Sequence, residues 1–398
     1  MRTILSPRTL GTLGLLLLSS CATHHSIRSR LPPEVTFNKD AGCGRGLIVM
    51  LRLESGEQLP FILDTGSPWT LFDKSLEPKL GKRLHTGTTW NFGVKQDSDR
   101  YATPKLYLGS TLLMTSRTNI ATCDCQQLST DAGRRIMGIL GMDFLEHYCI
   151  QLDFAAHKMH FLDDAHADKK GWGKLFPLAH LGDECFFLNE NLAGAKDSGS
   201  LIDTGCSYDG WLTPQLYQQW TNRATAYAIM EVRSSNGQMG GETYPDMALL
   251  WVDPKVALSG DWHFKRNGIG LNFLARHLVT FDFHNWTMYL KRTSVGPLVD
   301  QDLEAEATAA AKAAATVLKA LRSQGQLPGW SKGDEAPTKD LPFNFRYPDS
   351  GICDLVKTGD SSVYHYLFTR VSETGPWKLQ KAWRTDQNDH LVEEYPVR

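Results

Sequence analysis

The 398-residue sequence predicts a mainly β protein, with two homologous β-barrel lobes followed by a small α+β module. Three observations point there. A long segment recurs at constant spacing, the apolar runs in residues 41–292 are strand-sized and bounded by turn residues, and the composition changes after about residue 296. Hydrophobic residues make up 41% and charged residues 22%, which is ordinary globular composition. The chain is too long for one ordinary core. A net charge of -2 with no basic stripe speaks against a nucleic-acid partner.

The N-terminus reads as an export signal. Arg2 and Arg8 precede a short apolar run, Leu10 to Leu18, and then Ser19, Ser20 and Cys21. The run is too short to span a bilayer permanently, so residues 1–20 are expected to be a lipoprotein signal peptide. Leu18-Ser19-Ser20-Cys21 resembles a bacterial lipobox. The resemblance implies lipidation at Cys21 and a protein held at the cell envelope, periplasmic or outer-membrane-attached, by an N-terminal lipid anchor. Residues 21–40, with Pro32-Pro33, read as a tether. Beyond Cys21, seven of the eight cysteines remain, so at least one is a free thiol or bonds another molecule. Cys123-Asp124-Cys125 lacks zinc-finger spacing and a completing pair. It reads as a loop carrying one disulfide partner, and no metal or other cofactor is expected.

The duplication organises the rest. Leu140-Gly-Met-Asp-Phe-Leu, continuing to Asp153-Phe154, matches Ile269-Gly-Leu-Asn-Phe-Leu, continuing to Asp282-Phe283, at an offset of 129. Upstream, Phe61-Ile62-Leu63-Asp64-Thr65-Gly66-Ser67 matches Ser200-Leu201-Ile202-Asp203-Thr204-Gly205-Cys206 at an offset of 139. Each copy is domain-sized, about 110 residues. The expected lobes are residues 41–165 and 175–292.

A single Asp-Thr-Gly is an ordinary turn, since Asp and Thr make local side-chain bonds and Gly tolerates positive φ. Two of them at equivalent places are different. A pseudo-twofold would bring Asp64 and Asp203 face to face, each at the end of a buried strand. Two touching carboxylates share one proton. One can then deprotonate a water while its protonated partner polarises an amide carbonyl, with no metal and no covalent intermediate.

With Ile139-Leu140-Gly141 and Gly268-Ile269-Gly270 downstream, the two motifs resemble the pepsin and retropepsin superfamily of aspartic peptidases, closest to retropepsin-like bacterial domains fused in tandem. The resemblance implies acid-protease lobes and an aspartic endopeptidase acting on a peptide or protein. Asp64 and Asp203 would be catalytic, supported by Thr65, Gly66, Ser67, Thr204, Gly205 and Cys206. It also implies a β-hairpin flap, for which Trp90, Phe92 and Gly93 are candidates. Two lobes in one chain make a monomer sufficient. Two departures stand out. Cys206 replaces the hydroxyl that in the family bonds the neighbouring carboxylate, so Asp203 is expected to be less firmly held. Gly268 replaces an apolar residue. Trp69 and Tyr208, just after the motifs, read as lobe packing. HExxH, Gly-x-Ser-x-Gly and phosphate-loop patterns are absent from the sequence.

Residues 300–398 form the expected accessory module. Residues 301–323 carry a strong helix signal, stopped by Gly325 and Pro328-Gly329. Strand-like runs follow at Gly351–Lys357, Val363–Val371 and Trp377–Trp383. The expected role is that of an accessory or partner-binding domain. The competing function is a catalytically weak or inactive envelope lipoprotein that kept the fold as a peptide-binding scaffold. Retention of two apposed acids favours the enzyme, because a scaffold has no need of them.

Overall fold

The computed structural model describes residues 31–91, 94–180, 186–195, 198–221, 229–234, 237–252, 266–331, 333–334, 344–347, 350–357, 362–370, 375–386 and 391–397. Residues 1–20, expected as a signal peptide, and Cys21, Cys185 and the start of the expected tether lie outside them. The protein is mainly β, in several sheets.

The first half contributes β1 (Val35–Thr36), β2 (Ile48–Leu53), β3 (Gln58–Leu63), β4 (Leu71–Asp73), β5 (His85–Asn91), β6 (Val94–Ala102), β7 (Leu106–Leu108), β8 (Thr111–Leu112), β9 (Asn119–Cys123), β10 (Gly138–Leu140), β11 (Cys149–Asp153) and β12 (Lys158–Leu162). The second half contributes β13 (Lys174–His180), β14 (Phe186–Leu188), β15 (Ser200–Asp203), β16 (Gly210–Leu212), β17 (Ile229–Ser234), β18 (Gly237–Met239), β19 (Glu242–Tyr244), β20 (Met247–Val252), β21 (Asn267–Gly270), β22 (His277–Asp282) and β23 (Thr287–Arg292). The expectation of barrels is not met. Among the described residues none of the sheets closes, and each strand order runs from one open edge to another: β5 to β8 in the nine-stranded sheet, β1 to β17 in the twelve-stranded one.

The duplication is written into the strand order. The first half runs β6-β9-β4-β10-β3-β2 and the second β17-β20-β16-β21-β15-β14. The sense of every neighbouring pair agrees, alternating antiparallel and parallel across both sets. Each motif strand thus lies parallel to the strand of its own downstream apolar-Gly motif. Leu63 is level with Leu140, and Asp203 with Gly270.

Strands β11 and β22 join the halves antiparallel, and Gln151 pairs with Thr280, its own equivalent at the offset of 129. A residue can face its own copy only on a twofold axis, so a pseudo-dyad passes through this pair. The Gln151 amide donates to Thr280 Oγ1 at 2.8 Å.

The stretch expected as a tether is partly structural. Strand β1 pairs with β12, and Phe37 is buried against Phe154. An aromatic that can reach a core anchors an otherwise polar segment.

A separate core holds the C-terminal module. Its helix, Gln301–Gln324, begins where the Asp300 side chain accepts from the amides of Asp302 and Leu303, and ends at Gly325 with φ 68°. Ala310, Ala314 and Leu318 bury one stripe of it in the same core as Leu355, Tyr366 and Phe368. The sheet has five strands: β24 (Asn344–Tyr347), β25 (Ser350–Val356), β26 (Val363–Thr369), β27 (Lys378–Thr385) and β28 (Leu391–Tyr395), in that order. The two edge strands escaped sequence reading, since Leu391–Tyr395 is largely exposed and has no core face to give it alternation. Among the described residues no helix is long and apolar enough to cross a membrane.

Candidate functional site

The two Asp-Thr-Gly turns meet where the halves meet. Thr65 N donates to Thr204 Oγ1 at 3.0 Å, and Thr204 N donates to Thr65 Oγ1 at 3.1 Å. Each hydroxyl then donates across the junction, Thr65 to Ile202 O and Thr204 to Leu63 O, both at 2.8 Å. Four bonds with two-fold symmetry therefore lock the loops together, and both threonines are buried. A buried Thr hydroxyl can satisfy donor and acceptor at once, which a Val of the same shape cannot.

The glycines bring each loop onto the other's carboxylate. A Cβ on Gly66 would lie 2.5 Å from Asp203 Cγ, and one on Gly205 would lie 2.5 Å from Asp64 Cγ. Real Cβ atoms do not come that close, so only glycine permits the approach. Gly205→Ala is expected to displace Asp64 and reduce any activity of the pair by about 100-fold while leaving the chain folded. Circular dichroism alongside a cleavage assay checks this.

The carboxylates are held alike. Asp64 Oδ1 accepts from Gly66 N at 2.8 Å and Ser67 N at 3.1 Å. Asp203 Oδ1 accepts from Gly205 N at 2.8 Å and Cys206 N at 3.0 Å. At Cys206, as at Ser67, a main-chain amide helps to hold the carboxylate. The Ser67 hydroxyl donates to Trp69 O at 2.8 Å instead. Both Asp64 and Asp203 remain partly accessible, while Thr65 and Thr204 are sealed.

The apolar-Gly motifs support the loops from behind. Asp64 N donates to Leu140 O, Met142 N to Ser67 O, and Leu271 N to Cys206 O. A Cβ on Gly141 would lie 2.6 Å from Trp69 O, and one on Gly270 would lie 2.3 Å from Tyr208 O. The Gly268 departure has a steric cause. Its missing Cβ would lie 2.3 Å from the ring of the buried Trp211.

Two residues behind the loops were not singled out from sequence. Thr70 Oγ1 accepts from Gly141 N at 3.0 Å and donates to Asp143 Oδ1 at 2.7 Å. Burial pushes the Asp143 carboxyl up to about 6, against the pull of Thr70 and of Arg117. The folded chain thus keeps a proton that the unfolded chain loses near pH 4. The stability from holding it is complete below about pH 4 and is lost as pH rises through about 6. Asn272 holds the equivalent place in the second half. Asp143→Asn is therefore expected to add up to about 3 kcal/mol at pH 7 and almost nothing at pH 4, read by urea unfolding at both. Sequence offered one signal for it, the Asp143/Asn272 correspondence itself.

Other expected features fall differently. Of the flap candidates, Trp90 lies on β5, where its backbone pairs with Lys95 of β6. Phe92 and Gly93, and the side chain of Trp90, lie outside the described residues. Cys123 ends a strand and Cys125 caps the helix Gln126–Ala132, with their sulfurs 3.6 Å apart. That is beyond a disulfide bond and within thiol hydrogen-bond reach, so neither stands in an open loop. Away from the junction, ligand atoms of Asp164, Asp282 and His284 lie within 4.8 Å of one another. Asp282 there is already neutralised by Lys169 at 2.7 Å and bonded by Asn285.

Compared with protein-family models and with curated proteins, the chain matches none.

Proposed function

We propose that the protein is an aspartic endopeptidase with two acid-protease lobes, hydrolysing peptide bonds with water activated between Asp64 and Asp203. The observation that carries the proposal is the reciprocal Thr65–Thr204 lock, with each glycine seated against the opposite carboxyl group. A binding surface has no use for so costly a juxtaposition of two acids. The geometry suits a shared proton. The ionised partner takes a proton from water, the water oxygen bonds to the amide carbon, and the protonated partner donates to the carbonyl oxygen. Collapse of the tetrahedral species then releases the amine, which takes up a proton from the pair.

The shared strand order and the pseudo-dyad at Gln151/Thr280 support the pepsin- and retropepsin-like reading. We extend it to an exported lipoprotein anchored at Cys21, acting as a monomer on peptide or protein substrates in the cell envelope, with the C-terminal module available to a partner. The test is digestion of an unstructured protein by residues 22–398 from acid to neutral pH, beside Asp64→Asn and Asp203→Asn. Equal cleavage by all three sinks the dyad. No cleavage at any pH favours the scaffold. Labelling with a radioactive fatty acid, lost in Cys21→Ala, checks the anchor.

A further inference from the structure

We propose that Arg100 and Arg117, stacked on Trp69 beside the first motif, select substrates carrying an acidic side chain close to the scissile bond. The inference rests on the peptidase reading for its cleft, and extends it to a substrate class.

The observations are these. Trp69 lies five residues beyond Asp64, partly exposed, with its carbonyl bonded by Ser67 and packed against Gly141. Two guanidinium groups from different elements stack on its ring. Arg100, on β6, has its Cζ 4.6 Å from the ring centroid, and Arg117, in the connection before β9, has its Cζ 4.4 Å away. Neither has a carboxylate partner among the described residues. Arg100 Nη2 donates to Thr88 O at 3.2 Å, but its Nη1 is buried with no hydrogen bond. Asp143 feels the charge of Arg117 without pairing with it, and spends its Oδ1 on Thr70.

Stacking uses the face of a guanidinium and leaves its in-plane N–H groups for other partners, at Arg117 above all, since Arg100 Nη1 is shielded from solvent and its Nη2 is bonded to Thr88 O. Those donors match a carboxylate in both charge and geometry. Two positive charges without an acidic partner among the described residues, on a chain of net charge -2, are a local excess that a structural role for Trp69 alone does not require. Trp69 follows Asp64 by five residues on the same loop, and an extended peptide advances about 3.3 Å per residue, so the substrate group to meet these arginines is a side chain a few positions from the cleaved bond.

The test uses the full chain and two labelled peptides identical except for Glu or Gln at positions flanking the scissile bond. Cleavage is measured with the wild type. Binding is measured by fluorescence anisotropy with Asp203→Asn, so that it needs no turnover. The Glu peptide is expected to win by about tenfold in kcat/KM and in affinity, less so at high salt. Arg100→Gln and Arg117→Gln should each shrink the ratio towards one, chiefly through the Glu peptide, and Arg117→Lys should restore part of it. Equal cleavage and equal binding of the two peptides overturn this inference and leave the peptidase standing. A Glu preference in binding without any cleavage overturns the peptidase and leaves the inference. If the Gln variants weaken both peptides equally, the arginines merely support Trp69 and the inference fails.

Discussion

Asp64→Asn and Asp203→Asn are each expected to reduce peptide hydrolysis by at least about 10³-fold, with the melting temperature within a few degrees of the wild type. Asparagine has nearly the same shape. Its Oδ1 can still accept from the two loop amides that hold each aspartate, Gly66 and Ser67 at one, Gly205 and Cys206 at the other. The Thr65–Thr204 lock uses no carboxylate atom, so the loops stay apposed. What is lost is the exchangeable proton. An amide neither takes a proton from water nor gives one to a carbonyl oxygen. In the proposed mechanism both acids serve one reaction, so each single variant should cost nearly as much as the double variant. A variant retaining more than a tenth of wild-type activity contradicts the shared-water mechanism. The asymmetry expected from Cys206 should be absent, since the structure holds both carboxylates through main-chain amides. Cys206→Ser should therefore change activity by less than about threefold, the range of a peripheral hydrogen-bond change.

The candidate site was legible where a short motif was repeated, and illegible where the arrangement depended on what side chains reach across the junction. Asp64 and Asp203 could be paired from spacing alone, because a ten-residue difference in offset placed both motifs upstream of matching apolar-Gly segments. The glycines' role was half visible. That Gly66 serves Asp203, and Gly205 serves Asp64, requires knowing which loop faces which. Cys206 shows a related limit. Sequence comparison weighs side chains, while the bonds that matter there come from the peptide amide, which every residue but proline supplies. The barrel expectation failed because closure depends on how edge strands meet, and alternation says nothing about edges. Strand β28 was missed for the related reason that its exposed residues carry no buried face. Trp69 was read as packing, and it does pack, yet the two arginines stacked on it come from residues 31 and 48 positions downstream, beyond any local pattern.

Arg276 and Asp209 show the same limit and support the second large expected effect. Their equivalents in the first half are His147 and Thr70, so the duplication hides them. Both are buried, with Arg276 Nη2 3.1 Å from Asp209 Oδ1. Arg276 also donates to Pro245 O at 2.7 Å and Asp246 O at 3.2 Å. Asp209 accepts from Ala248 N at 2.6 Å through Oδ2, and its own carbonyl accepts from Gly270 N at 2.8 Å. The pair thus fastens β20 and the second apolar-Gly motif to the loop behind Asp203. Arg276→Met fills similar space but leaves the Asp209 carboxylate buried without its guanidinium, and should cost about 3–5 kcal/mol. That corresponds to a drop of about 10 °C in melting temperature. The loss should lessen in acid, where Asp209 in the variant can take up a proton and shed its charge. Adding Asp209→Asn should recover much of it at neutral pH, because the amide keeps the Ala248 bond without the buried charge. If Arg276→Met melts within about 2 °C of wild type, the pair is not what braces the second loop. If the double variant is no more stable than Arg276→Met, the cost lies in lost packing around the arginine stem and not in the stranded charge.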